Sequence, residues 1–235
     1  YDLSKDPNEL NDLAASRPDK VAELADKWNA AAERYQVFPL DDRQMVIRLV
    51  QDRQNRGIRE TWDLRPPIER LSREVAPVVC GLPHEIIVDC VRTGDGVLVA
   101  HGSQPAGYTL YIKGGRLYYE QSLLPWREVI DGGLVPMGKL EIRYVQKMES
   151  RPFDGSGALF VNGRQTGSRK FRQALFSTGY DGFSVGADLG NRVSPAYAAP
   201  FPFAGSIERV RIDVDASALS MVEQARFLKA MALRV

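Results

Sequence analysis

Apolar and polar residues alternate in short runs through most of the second half of the chain. Runs such as HEIIVDCVR, YTLYIK and KLEIRYV are rich in β-branched and aromatic residues, and turn residues separate them. A period of two is typical of strands that bury one face. We therefore predict strands at 84–92, 96–101, 108–113, 116–122, 139–145, 158–161, 183–185 and 207–214.

Two dipeptides predict where hairpins turn. Gly114-Gly115 and Asn162-Gly163 each directly follow one of these runs. Two-residue hairpin turns need positive φ angles, which glycine and asparagine adopt most readily. Because no helical pattern interrupts the strands, we expect residues 79–215 to form an antiparallel β-sandwich.

A helical period appears near the beginning of the chain. Ser16, with Pro18 and Asp19 after it, predicts the start of a helix by a capping-box-like pattern. Before it, Tyr1-Asp2-Leu3 resembles the end of a strand. Apolar residues then recur at spacings of three and four, which places them on one helix face. They are Val21, Leu24, Trp28, Ala31 and Tyr35.

The composition is that of a globular protein with balanced charge. Of the 235 residues, 44% are apolar, and 31 basic residues stand against 30 acidic ones. We therefore expect no nucleic acid and no membrane as partners, since no run approaches the roughly 18 apolar residues of a membrane helix. The Arg-rich residues 41–78 predict an extended connector, and a capping pattern at Ser220 predicts a helix within 216–235.

Residue types that often serve catalysis are few. Cys80 and Cys90 stand in apolar surroundings, which favours buried, reduced thiols; a disulfide, a reactive thiol and the compartment stay open. With only His84 and His101, a zinc site of several histidines is excluded. We expect both histidines to be ordinary strand residues.

Two groups of residues offer ligand chemistry. Asp181, Asp188 and Asn191 carry oxygen atoms of the kind that hold calcium, but Asx-turn bonding to the local backbone is the favoured interpretation. Aromatic residues of the strands could stack on a sugar or aryl group if exposed, but they are more often core residues. The aromatic candidates are Tyr118, Tyr119, Trp126 and Tyr197.

Four segments resemble type I sulfatases. YDLSKDPNELNDLA, at 1–14, is similar to the last strand and following turn of the sulfatase α/β catalytic region. GVLVAHGSQPAGYTLYIKGGRLYYEQ, GALFVNGRQTGS and FSVGADLGNRVSPAYAAPFPFAGSIERVRIDV resemble, in the same order, the carboxy-terminal extension of a bacterial arylsulfatase subgroup. Asn162 stands where the family's hairpin usually has Asp, and residues 41–78 and 216–235 carry no family feature.

The resemblance implies an α+β, mainly β chain. Its sandwich would be a concanavalin- or laminin-G-like jelly roll with a helix after it. The implied divisions are a strand-helix remnant of an α/β sulfatase domain at 1–40, an extended connector at 41–78, the antiparallel sandwich at 79–215 and a terminal helix at 216–235.

The function implied is that of a non-catalytic, carboxy-terminal portion of an arylsulfatase-like sulfuric ester hydrolase. Such sulfatases use a formylglycine, made from C/S-x-P-x-R, beside a divalent cation. The motif is absent here, because the near misses at Ser16 and Ser150 have Lys20 and Asp154 at the place of the arginine. We therefore assign no catalytic, cofactor-binding or metal-ligating residue to this chain.

The resemblance also implies a partner. We expect the formylglycine, with calcium or magnesium, in a sulfatase catalytic domain upstream, and a sulfate ester as the substrate of the whole enzyme. The alternative is a lectin-like, glycan-binding β-sandwich module that shares the architecture without the enzyme.

Overall fold

A computed structural model describes residues 1–40, 59–66, 68–72, 75–149, 154–175, 177–179 and 181–215. The chain divides into two units, Tyr1–Arg48 and Leu49–Val235. Three predictions lie wholly or partly outside the described residues. They are the helix within 216–235, residues 41–58 of the connector predicted at 41–78, and the near-miss motif at Ser150. The predicted domain boundaries stay a prediction.

The first unit contains helix α1 (Pro18–Arg34). The predicted Ser16 cap is wrong: the N-cap is Arg17, one residue later. The Ser16 hydroxyl instead donates to the Leu13 carbonyl oxygen at 3.1 Å. Proline at the first helical position needs no cap for its missing N–H, which explains the shift. No described helix has the length and hydrophobicity that crossing a bilayer requires.

The predicted strand end at the beginning of the chain is also wrong. Tyr1 to Leu3 form no strand, because the Asp2 carboxylate and carbonyl oxygens accept hydrogen bonds from the backbone N–H groups of Ser4 and Lys5 and fold the segment into a turn. A short polar side chain that bonds its own neighbours competes with ladder pairing in this way. A strand-helix remnant of a sulfatase domain is therefore not confirmed.

The second unit is built from strands. They are β1 (Thr61–Leu64), β2 (His84–Arg92), β3 (Gly96–Ser103), β4 (Ala106–Lys113), β5 (Arg116–Leu123), β6 (Trp126–Leu134), β7 (Gly138–Met148), β8 (Gly155–Val161), β9 (Arg164–Phe171), β10 (Phe183–Val185) and β11 (Gly205–Val214). Each predicted strand is present, and both predicted hairpins turn at their glycine-containing dipeptides. Asn162 and Gly163 have φ angles of 49° and 79°, as such a turn requires.

Two antiparallel sheets form the sandwich. The six-stranded sheet has the order β1-β11-β2-β7-β8-β9, and the five-stranded sheet has the order β10-β3-β4-β5-β6. Apolar residues from the inner faces of both sheets make one core, in which Tyr108, Tyr119 and Tyr144 are almost completely buried. The prediction of a mainly β, antiparallel sandwich is confirmed.

The cysteines and histidines belong to this core. Cys80 and Cys90 form no disulfide and are 8% and 0% exposed, which confirms their predicted burial. His84 and His101 are also buried. The His84 Nδ1–H donates to the Leu82 carbonyl oxygen at 2.8 Å, and no described group bonds its Nε2. Because burial disfavours the imidazolium form, the pKa of His84 falls to about 4.

Candidate ligand-binding site on the five-stranded sheet

A loop covers part of the outer face of the five-stranded sheet. The two ends of this covering loop, residues 186–203, are tied to each other, because the Phe203 N–H donates to the Gly186 carbonyl oxygen at 2.8 Å. The Gly186 N–H in turn donates to the Leu98 carbonyl oxygen at 2.9 Å. The loop buries a small apolar cluster against strands β3 and β4, which consists of Val97, Ala100, Tyr111, Val193 and Tyr197.

Buried polar groups fix the loop internally. The Asp188 carboxylate accepts hydrogen bonds from the Val193 N–H at 2.8 Å and from the Tyr197 hydroxyl at 2.6 Å. Burial raises the pKa of Asp188 above its usual range, because the charged form is desolvated. The Tyr197 ring lies edge-on to Tyr111 of β4, with 5.1 Å between centroids. The loop is therefore held in one arrangement over the sheet.

Glu120 of β5 joins the loop to the sheet. Its side chain is completely buried and accepts hydrogen bonds from the Ser194 hydroxyl at 2.6 Å and the Tyr111 hydroxyl at 3.2 Å. Arg127 of β6 donates to both Glu120 carboxylate oxygens, with its Nη2 at 3.0 Å. A buried carboxylate with this many donors is satisfied, so it fixes the direction of the Arg127 guanidinium.

Part of the outer face beside the covering loop is exposed. This part, which we call the platform, consists of outward residues of strands β5 and β6. Tyr118 is half-buried and stacks on Tyr111, with centroids 5.2 Å apart and an angle of 23° between the planes. The platform residues are Tyr118, Arg127, Val129 and Asp131.

The platform combines an aromatic plane with fixed polar groups. The Arg127 side chain is 42% exposed although Glu120 holds it, so N–H groups remain for a ligand. Asp131 accepts hydrogen bonds from Arg116, whose Nη2 lies 2.8 Å away. Aromatic faces bury the apolar faces of ring-shaped ligands, and convergent donors and acceptors orient them.

The predicted aromatic candidates divide between core and surface. Tyr119 and Tyr197 are buried, at 1% and 5% exposure, so neither presents a free face to a ligand. Trp126 is 41% exposed at the beginning of β6, whereas Tyr118 lies on the platform. Of the four, Tyr118 is the one that the structure brings beside fixed hydrogen-bonding groups.

The candidate calcium ligands serve the local structure. Asp188 bonds within the covering loop as described above. Asp181 accepts hydrogen bonds from Arg70 and from the Asn191 amide, each at 3.2 Å. Among the described residues, no group of three or more His, Cys, Asp or Glu is arranged to hold a metal ion. The predicted Asx-turn bonding to the adjacent backbone is not what these contacts show: the Asp181 carboxylate is bonded by side chains, and Asp188 by the Val193 N–H and the Tyr197 hydroxyl.

A cavity of about 330 Å³ lies at the base of the covering loop. Its described lining is apolar except for Glu69, so it offers few directed hydrogen bonds to a ligand. The apolar side chains in this lining are Pro66, Ile68, Val185, Ala187, Leu189, Phe203 and Ile207. The platform is the richer candidate site, because it has both an aromatic plane and fixed donors.

No family model matches this sequence, and no curated protein matches it. Solved structures with a similar architecture do exist. The carbohydrate-binding module CBM40 of Ruminococcus gnavus IT-sialidase, bound to alpha2,3 sialyllactose, is 19% identical, with 73% of this chain and 96% of that chain covered and a TM-score of 0.46. The leech intramolecular trans-sialidase is 18% identical, with coverage of 73% and 28% and a TM-score of 0.48.

A third similar structure is domain 4 of a GH43 extracellular arabinanase from Geobacillus stearothermophilus, in complex with arabinotriose. It is 15% identical, with 68% of this chain and 71% of that chain covered and a TM-score of 0.44. Because identities and TM-scores are this low, these similarities assign no family and no ligand to the chain.

Proposed function

We propose that the β-sandwich is a carbohydrate-binding module whose ligand lies on the platform. One observation carries the proposal: the half-buried ring of Tyr118 shares the outer face of β5 with the buried Glu120, two residues along, and Glu120 fixes the direction of the Arg127 guanidinium. A pyranose or furanose ring has an apolar face for the tyrosine and hydroxyl oxygens for the guanidinium. Both protein groups stand on paired strands, so little side-chain freedom is lost on binding.

The platform continues along β6, where Val129 is half-buried and Asp131 is exposed. An exposed, partly polar surface of this kind suits a hydrated ligand that makes many directed hydrogen bonds, rather than an apolar molecule that needs an enclosed cavity.

The test is binding of the full chain to an array of neutral and acidic oligosaccharides, followed by calorimetric titration of each positive. We expect Tyr118→Ala and Arg127→Ala to weaken binding at least tenfold, as loss of about 1.4 kcal/mol would do. A matched control exists on the other sheet, where Arg143 lies over the Phe160 ring at 4.8 Å. Phe160→Ala and Arg143→Ala should leave the affinity unchanged, and equal losses in both pairs would contradict the proposal.

A second candidate function is the carboxy-terminal part of an arylsulfatase-like hydrolase. The observation that favours it is the predicted apolar face of α1, because Val21, Leu24 and Trp28 are 47%, 53% and 49% exposed. Such a face stabilises a protein when another surface covers it. In this proposal the covering surface belongs to a sulfatase catalytic domain, which carries the formylglycine and a calcium or magnesium ion and acts on a sulfate ester.

The coding sequence upstream of residue 1 tests this second candidate. A C/S-x-P-x-R motif there would support it, and an unrelated upstream sequence would contradict it. This chain alone should not hydrolyse p-nitrophenyl sulfate above a heat-denatured control, since its sequence has no C/S-x-P-x-R motif to supply the formylglycine nucleophile. In the longer protein, Trp28→Ala should lower the unfolding temperature before it changes the turnover number.

A further inference from the structure

Two exposed cations, Lys113 and Arg192, bond backbone carbonyl groups at the edge of the covering loop. The Lys113 ammonium donates to the Ala196 carbonyl oxygen, and the Arg192 guanidinium donates to the next carbonyl oxygen, that of Tyr197, at 3.3 Å. Within the part of the chain that the structure describes, neither cation forms an ion pair. The two positive charges therefore converge on adjacent peptide units.

The other cations of this face are neutralised. Arg116 pairs with Asp131 at 2.8 Å, and Arg127 pairs with Glu120. The single acid of the covering loop, Asp188, is buried and already accepts its two hydrogen bonds. Of the described side chains of the covering loop and strands β4 to β6, Lys113, Arg192 and the buried Asp188 are the charged groups without an ion pair, so the charge that this face exposes to a ligand is positive.

The pair stands next to the platform. Lys113 lies two residues beyond Tyr111 on β4, so both side chains leave the same face of the sheet. Tyr111 is in contact with Tyr118 on one side and with Tyr197 on the other. Lys113 pairs with Arg116 and is therefore a diagonal neighbour of Tyr118 across β4 and β5, so we expect substituents of a ligand ring on Tyr118 to reach Lys113 and, on the adjacent peptide unit, Arg192.

We propose that Lys113 and Arg192 bind an acidic substituent, a sulfate or a carboxylate, of the carbohydrate held on the platform. The proposal rests on the carbohydrate-binding function proposed above. Each side chain uses one N–H on a loop carbonyl and keeps the others, two on the ammonium and four on the guanidinium. An oxyanion accepts several such bonds at once, and bonds with charge on both partners are the stronger ones.

The experiment is an array in which galactose-, glucose- and N-acetylglucosamine-based oligosaccharides each appear neutral, O-sulfated and oxidised to the uronate. We expect at least one acidic form to bind about tenfold more tightly than its neutral parent. The preference should shrink as sodium chloride is raised from 0.05 to about 0.5 M, since exposed charges are screened. Comparison of the affinities for the O-sulfated and the uronate forms then identifies which oxyanion the site prefers.

Variants separate this proposal from the function on which it rests. Lys113→Gln with Arg192→Gln should abolish the acidic preference and keep neutral binding, whereas Tyr118→Ala should weaken both. Lys147→Gln with Arg164→Gln removes the same charge from the six-stranded sheet and should change neither the acidic preference nor neutral binding. Thermal melts check that each variant is folded. Equal affinity for acidic and neutral forms, or an acidic preference that survives the double variant, overturns this proposal alone. Absence of binding to every form overturns both.

Discussion

Tyr119 of β5 and Tyr144 of β7 stack face to face across the sandwich, with ring centroids 3.6 Å apart and planes only 9° from parallel. The two strands belong to different sheets, so this pair is a direct contact between the layers. Each ring is almost fully buried, and the Tyr144 hydroxyl donates to the Gln146 side-chain oxygen at 2.9 Å. The inner face of β5 thus holds the layers together, while its outer face carries Tyr118 and Glu120.

Truncation of this stack should be costly. We expect Tyr119→Ala and Tyr144→Ala each to lower the free energy of unfolding by roughly 3–5 kcal/mol, because each leaves a large cavity between the sheets. Tyr35→Ala, at a position that is 69% exposed, should stay within about 0.5 kcal/mol of the parent. Urea denaturation followed by fluorescence measures all three. A loss at Tyr119 no larger than that at Tyr35 would contradict the described packing.

Glu120→Gln should loosen the platform and the covering loop together. The amide keeps the shape but loses the charge that receives the Arg127 and Ser194 hydrogen bonds, so we expect a loss of about 1.5–3 kcal/mol in unfolding free energy. The control is Glu208→Gln, which removes an exposed pair with Lys139 at 3.5 Å and should cost under about 1 kcal/mol. Equal effects would show that Glu120 does not organise this face.

His84 should make the free energy of unfolding decrease at acidic pH. Its pKa is about 4 in the folded chain against 6.5 for an unburied histidine, so below pH 6.5 the unfolded chain takes up a proton that the folded chain does not. This histidine therefore contributes stability that is present above pH 6.5 and is lost, by roughly 3 kcal/mol, as pH falls to 4.

The measurement is the unfolding free energy of the parent and of His84→Asn at pH 7, 5.5 and 4. The asparagine does not titrate, so its curve should fall less steeply over this window. Parallel curves would mean that His84 is not buried in its neutral form.

The core thiols should resist modification. Burial raises the pKa of Cys90 to about 11, with the nearby Asp89 as a smaller cause, so little thiolate exists at neutral pH. We expect Ellman's reagent to label neither Cys80 nor Cys90 quickly in the native protein at pH 7.5, and both in 6 M guanidinium. Rapid labelling of the native protein at Cys90 would contradict the core position of β2.

Local pattern predicted the apolar strands but not the polar ones. β9, with the sequence RQTGSRKF, lies at a sheet edge with most of its residues exposed, so it has no apolar period to detect. Its presence follows only from the turn at Asn162-Gly163, because a hairpin needs a second strand after its turn. β6 lacks a detectable period for a related reason, because WREVIDGGL has two glycines near its end and its buried residues, Glu128, Ile130 and Gly132, include one large apolar side chain.

The candidate site depended on contacts that no local pattern contains. Alternation along β5 shows that Tyr118 and Tyr119 face opposite ways, but not which of them is inward. Glu120 is buried because Ser194 comes over it from 74 residues away along the chain. The positions of Lys113 and Arg192 likewise depend on the covering loop, whose path is set by the Asp188 and Tyr197 bonds.

The two ends of the covering loop are tied to each other, since the Phe203 N–H donates to the Gly186 carbonyl oxygen. Exposed positions between them, such as Pro195 and Ala198, can therefore change without shifting the register of any strand, whereas Ser194 and Tyr197 bond to the sheet and stabilise it. Exchange of the exposed loop residues would alter which sugars meet Tyr118 while these bonds keep the sandwich folded. The buried part of the loop thus belongs to the scaffold, and its exposed part is the place where an engineer can redirect recognition.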